Sequence, residues 1–81
     1  MNVSVRFYSY FKDLTGCEQT AVQLPDGATI AELKTQLHSR FPRLVEMERS
    51  TLIAVGMEYQ NAEHQLTDND QVSFFPPVQG G

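Results

Sequence analysis

Only one stretch of this chain carries the period of a long helix, and the segments on either side of it alternate. That combination limits the fold more than any single residue does. Thr29 and Glu32 have the spacing of a capping box, with Thr29 as the N-cap. Ile30, Leu33, Leu37 and Phe41 then return on one helical face, while Lys34, Gln36, His38 and Arg40 lie elsewhere. Pro42 has no amide hydrogen for the ladder, so the helix ends near Phe41. A single amphipathic helix must bury its apolar stripe against another layer, and the rest of the chain offers strands.

In the first strand Val3, Val5 and Phe7 share one face and Ser4, Arg6 and Tyr8 the other. Ser9 is expected to cap a short helical turn through Phe11 and Leu14 that stops at Gly16. A second alternating run puts Thr20, Val22 and Leu24 on one face and ends at Pro25-Asp26-Gly27. Residues 43–50 read as a short helix or a loop, with Leu44, Val45 and Met47 covering the core. The continuous apolar run Leu52 to Val55 predicts a central strand covered on both sides, ended by Gly56. A short strand around Met57 to Gln60 follows. Asp68-Asn69-Asp70 is a turn signal, and Gln71 to Phe75 alternates, with Val72 and Phe74 on one face.

This order predicts a two-layer α+β domain, a mixed twisted sheet with one main helix packed across it. The β-grasp (ubiquitin-like) arrangement fits it. Pro76 and Pro77 end sheet pairing, because proline has no backbone donor. The boundaries follow: a β-grasp domain over residues 1–76 and an extended tail over 77–81 that ends in Gly-Gly.

At 81 residues the chain is one domain with little room for an internal cleft, so chemistry belongs on an edge, a tail or a shared interface. The net charge of -4 and the scattered Lys and Arg argue against nucleic acid and suit docking on a basic partner surface. The single cysteine, Cys17, rules out an intramolecular disulfide, and no apolar run approaches the roughly 20 residues that span a bilayer. With no signal peptide in the sequence, the expected compartment is the cytoplasm.

The tail is where chemistry concentrates. Without Cβ, Gly80 and Gly81 can thread a channel too narrow for other residues, and Pro76 and Pro77 stiffen the approach. The extended reach from Pro76 to Gly81 is on the order of 20 Å, enough to enter another protein's site from outside. The reacting group would be the Gly81 carboxylate, an anion at neutral pH and a poor electrophile. Activation by ATP must come from a partner, since the sequence has no G-x-x-x-x-G-K loop.

Phe74-Phe75-Pro76-Pro77-Val78-Gln79-Gly80-Gly81 resembles the C-terminal signature of the molybdopterin synthase small subunit family. Leu66-Thr67-Asp68-Asn69-Asp70-Gln71-Val72 is similar to that family's Leu-x-Asp-Gly-Asp-x-Val stretch, and Val3 to Gly16 to its opening strand and short helix. Asn69 replaces the usual glycine, and Gly56 stands where relatives often have asparagine. The resemblance implies that an adenylyltransferase of the ubiquitin-activating type adenylates Gly81. A sulfur donor protein then makes a C-terminal thiocarboxylate. Pro76, Pro77, Val78 and Gly80 insert into the large synthase subunit, where sulfur passes to cyclic pyranopterin monophosphate. It also implies a heterotetramer, no bound cofactor and no catalytic side chains in this chain.

Alternation points Tyr8, Tyr59 and Phe75 away from the helix, as an apolar patch for a partner. Cys17 reads as a plain buried or half-buried thiol, and His38 and His64 as surface residues without metal-ligand spacing. Asp68 and Asp70 read as turn-capping carboxylates, and the methionines as core filler. Three other readings stay open: a sulfur carrier for another pathway such as thiazole synthesis, a protein modifier joined through Gly81 to lysine, and a docking module without terminal chemistry.

Overall fold

The computed structural model describes residues 1–77. Strand β1 (Asn2–Phe7) runs into helix α1 (Tyr10–Thr15), then strand β2 (Gln19–Gln23) and helix α2 (Ile30–Arg40). A 3-10 segment (Pro42–Ser50), kinked at Met47, leads to β3 (Leu52–Val55), β4 (Glu58–Tyr59) and β5 (Gln71–Phe75). The five strands form one sheet in the order β2-β1-β5-β3-β4. β1 and β5 are parallel and the other neighbours antiparallel, so the sheet is mixed.

The inner face carries the alternating apolar set. Val5, Val72, Ile30, Leu33, Leu37 and Phe11 are wholly buried, joined by Val3, Phe7, Val22, Leu44 and Phe74. Three aromatic rings meet edge to face at the middle of this layer: Phe7 with Phe74 at 5.8 Å and Phe11 with Phe74 at 6.1 Å between centroids. Such packing adds to area burial. The α2 capping box forms as its spacing dictates, with Glu32 N–H donating to Thr29 Oγ1 and Thr29 N–H to the Glu32 carboxylate. Gly16 closes α1 in the left-handed conformation, φ 75°, and its N–H donates to Lys12 O.

Four expectations need correction. Ser9 precedes α1, but its side chain makes no cap bond. It sits at φ 51°, ψ -129°, the first central position of a turn closed by Phe11 N–H donating to Tyr8 O at 3.0 Å. That is the type II′ geometry, and chain direction rather than capping sets the residue there. The central strand is β5, not β3, which lies one place from the edge. Ile53 and Ala54 are buried on opposite faces of β3, while Leu52 and Val55 stay half-exposed. Val45 is exposed, since the 3-10 segment turns only Leu44 fully inward. Met57 is 99% exposed at the tip of the β3–β4 hairpin, whereas Met1 and Met47 do pack on the core.

Turn chemistry fixes the approach to β5. Asn69 adopts φ 69°, a conformation asparagine tolerates better than most residues. The Asp70 carboxylate accepts from Thr67 N–H and Thr67 Oγ1, and Asp68 Oδ1 accepts from Asn2 N–H at 2.7 Å. The outer edge of β2 is strapped by Arg40, which donates to Ala21 O at 3.0 Å and to Thr20 Oγ1 at 2.7 Å.

Candidate functional site

The outer sheet face, opposite α2, collects the residues that alternation turns away from the core. Phe75 closes β5 there, in register with Leu52 of β3. Tyr8 lies just past the end of β1, and its N–H donates to Phe74 O at 3.2 Å, which prolongs the ladder by one residue. Its ring stacks on Phe75 at 4.6 Å between centroids and 13° between planes. Tyr59 of β4, in register with Ala54, meets the other side of Phe75 at 6.4 Å and 76°. The structure therefore brings Tyr8, Phe75 and Tyr59 into one aromatic cluster, with Phe75 in the middle.

The cluster stays open. Tyr59 is 66% exposed, Tyr8 36%, and Phe75 half-buried by its two neighbours. The three rings therefore form a contiguous aromatic patch on the outer face that no other part of the described chain covers. Leu52 and the buried Ala54 extend it as a smooth apolar floor. Neither was legible from the apolar run they sit in, because a run of four apolar residues hides which ones face outward. Counting parity back from Tyr59 through the hairpin would have found both.

Pro76 and Pro77 continue directly from Phe75 and are half-buried. Val78, Gly80 and Gly81, the remaining tail residues singled out from sequence, lie outside the described residues. β5 ends at Phe75, and Phe74 is its last inward-facing side chain. Phe75, at the centre of the cluster, precedes Gly81 by six residues in sequence.

The other singled-out side chains do not converge on this face. Cys17 is half-buried, with Sγ 3.7 Å from Thr15 Oγ1. His38 and His64 are half-exposed on separate elements, and among the described residues no group of three His, Cys, Asp or Glu could hold a metal ion. No helix among the described residues is long and apolar enough to cross a membrane.

A mixed five-stranded sheet with one main helix packed across it is the ubiquitin-like β-grasp fold. The ThiS family model matches residues 5–81, so the chain belongs to the ThiS family. Among its relatives is the molybdopterin synthase sulfur carrier subunit of Escherichia coli, 33% identical over 81 residues, covering 98% of this chain and 99% of that one. A putative molybdopterin converting factor subunit 1 from Pyrococcus furiosus superposes with a TM-score of 0.89 at 28% identity, covering 96% of this chain and 99% of that one. The complex of subunits 1 and 2 of the molybdopterin-converting factor of Helicobacter pylori contains a chain similar to this one. It matches with a TM-score of 0.73 at 29% identity and full coverage of both chains.

Proposed function

We propose that this chain is the sulfur carrier subunit of molybdopterin synthase, with the Gly81 carboxylate as its reacting group. The observation that carries the proposal is the end-to-end match to sulfur carrier subunits of that synthase, running through the terminal Gly-Gly. Chemistry requires activation first. Attack of the carboxylate on the α-phosphate of ATP gives an acyl-adenylate and pyrophosphate. A donor protein's persulfide then displaces AMP to give an acyl disulfide, and a thiol reductant cleaves its S–S bond to leave the thiocarboxylate. ATP and the groups that handle it belong to an adenylyltransferase of the ubiquitin-activating type, and this chain holds no cofactor. The large synthase subunit receives the tail and supplies cyclic pyranopterin monophosphate as acceptor. The sulfur carries the negative charge and is the better nucleophile of the two terminal atoms.

In this scheme Tyr8, Phe75 and Tyr59 are the contact surface. Their energetic weight falls on Phe75, since a ring at the centre of a patch, flanked by others that exclude water, is the usual place for a binding hot spot. Pro76 and Pro77 lower the entropy lost when the tail is inserted, because their φ angles are already fixed.

The deciding experiment is the intact mass of the chain after incubation with ATP, a sulfur source and its adenylyltransferase, beside a Gly81-deleted control. Replacement of one oxygen by sulfur in the full-length chain alone supports the carrier reading. Transfer of that sulfur to the pterin precursor by the large subunit then names the acceptor. An unchanged mass, with an enzyme active on a known carrier, refutes the reading, and an isopeptide product moves the chain among the protein modifiers.

A further inference from the structure

The net charge of -4 suggests a carrier that seeks basic partners, yet the face bearing the aromatic cluster contradicts its own chain. Strand parity assigns that face. From β2 it takes Gln19, Ala21 and Gln23; from β1 and its extension Asn2, Ser4, Arg6 and Tyr8; from β5 Gln71, Ser73 and Phe75. β3 and β4 add Leu52, Ala54 and Tyr59. Among the described residues it carries no carboxylate at all, and its one charge is Arg6. Glu58, the one acidic residue on a strand, pairs in register with Val55 and so belongs to the opposite side.

Arg6 is also unspent. Among the described residues its guanidinium takes part in no salt bridge and no side-chain hydrogen bond, while Arg40 and Arg43 are both engaged. It borders a dimple of about 80 Å³ that is lined also by Ser4, Tyr8, Gln19, Gln71 and Ser73. Metabolite sites run to roughly 300 Å³ and more, so this hollow takes a side-chain head group and not a cofactor. Its remaining polar lining is neutral hydroxyls and amides, which can complete the hydrogen bonding of a planar anion held by Arg6. Arginine matches a carboxylate in two parallel bonds, which fixes orientation as well as charge. Tyr8 belongs to both the dimple and the aromatic cluster, so the two are continuous.

We propose that Arg6 is a specificity residue of the docking face: it pairs with an Asp or Glu side chain that the large synthase subunit presents beside the pocket for Phe75. The proposal rests on the sulfur-carrier reading above and adds the chemistry of the partner's footprint, apolar with one acidic residue at its rim. A charge in that position steers encounter and rejects wrong partners more than it raises affinity. The net acidic remainder of the chain disfavours the same carboxylate over much of the other surface, which favours orientations that present Arg6.

The test measures association and dissociation of the full chain with the large subunit from the same source, at low and at high ionic strength. Four chains are compared: unsubstituted, Arg6→Glu, Arg49→Glu and Phe75→Ala. Arg49 lies on the 3-10 segment away from the sheet, so Arg49→Glu makes the same change of net charge off the face. Arg6 is exposed, and its substitution leaves the core intact. The expected result is a loss of about tenfold or more for Arg6→Glu at low salt, mostly in the association rate and narrowing at high salt, with Arg49→Glu far less affected. If Phe75→Ala weakens binding while Arg6→Glu matches the unsubstituted chain, or falls no further than Arg49→Glu, the role of Arg6 is refuted and the docking face stands. If Phe75→Ala binds normally, or the unsubstituted chain does not bind, the sulfur-carrier docking reading fails and Arg6 falls with it.

Discussion

Replacing Ser9 by glycine should make this protein more stable, although glycine usually does the reverse. Ser9 holds φ 51° and ψ -129°, a region that side-chain-bearing residues rarely enter. Strain of that kind costs on the order of 1–3 kcal/mol. The side chain returns nothing, because its hydroxyl makes no cap bond and the residue is exposed. Against the relieved strain stands the greater backbone freedom of glycine in the unfolded chain, about 0.5–1 kcal/mol. Taking the middle of each range, the difference leaves a net gain of about 1 kcal/mol. In a domain of this size each kcal/mol moves the melting temperature by about 4–8 °C. Thermal and urea unfolding of Ser9→Gly, read by circular dichroism, should therefore show a rise of several degrees with an unchanged m-value. Ser9→Ala should stay near the starting value, since it keeps the strain and loses only an unused oxygen. Equal or lower stability in Ser9→Gly would show that the turn is not strained and that the argument is wrong. A clear loss in Ser9→Ala would show a hydroxyl contact that the geometry lacks.

Phe74→Ala removes the ring that Phe7 and Phe11 meet edge to face, and at about 3–5 kcal/mol it should leave the chain largely unfolded at 37 °C by circular dichroism. Arg40→Met keeps the helix but releases Ala21 O on the free edge of β2, so concentration-dependent self-association should appear in sedimentation velocity and be absent from the parent. Thr29→Ala breaks the α2 capping box and should lower stability by about 0.5–1 kcal/mol, the modest end of the range for such caps, because both bonds are 3.4 Å long. Phe75→Ala should fold normally, since the ring stands on the outer face, while binding to the large subunit weakens by about 2 kcal/mol or more.

The residues that declared themselves in sequence are those whose role is local. Thr29 with Glu32, the stripe Ile30-Leu33-Leu37 and the alternation of Val3-Val5-Phe7 and Val72-Phe74 each depend on neighbours a few positions away, and each forms as read. What stayed hidden depends on strand order. That β5 and not β3 is central follows from pairing across most of the chain, Ser4 with Gln71, which no local pattern encodes. The same holds for Leu52, whose place beside Phe75 is fixed by register alone. Ser9 misled for a different reason: serine before a helix is ordinarily a cap, but here it occupies a tight turn between β1 and α1 that leaves its hydroxyl without a cap bond. Of the aromatic cluster, parity gave the face but not the stacking of Tyr8 on Phe75. Arg6 was passed over because a lone cation in an alternating strand looks like a solvated residue until the charge of the whole face is counted.

The central position of β5 has a consequence for how the molecule comes into being. A ribosome delivers β1 with β2, then α2, then β3 with β4, and none of these hairpins pairs with the other until Gln71 to Phe75 arrives between them. Until that moment the nascent chain presents two unmatched sheet fragments and a bare inner face, the condition in which chaperones bind and misassembly begins. The strand that ends this vulnerable interval is the one that the Gly-Gly terminus follows in sequence, so a chain truncated before β5 lacks both its keystone and its tail.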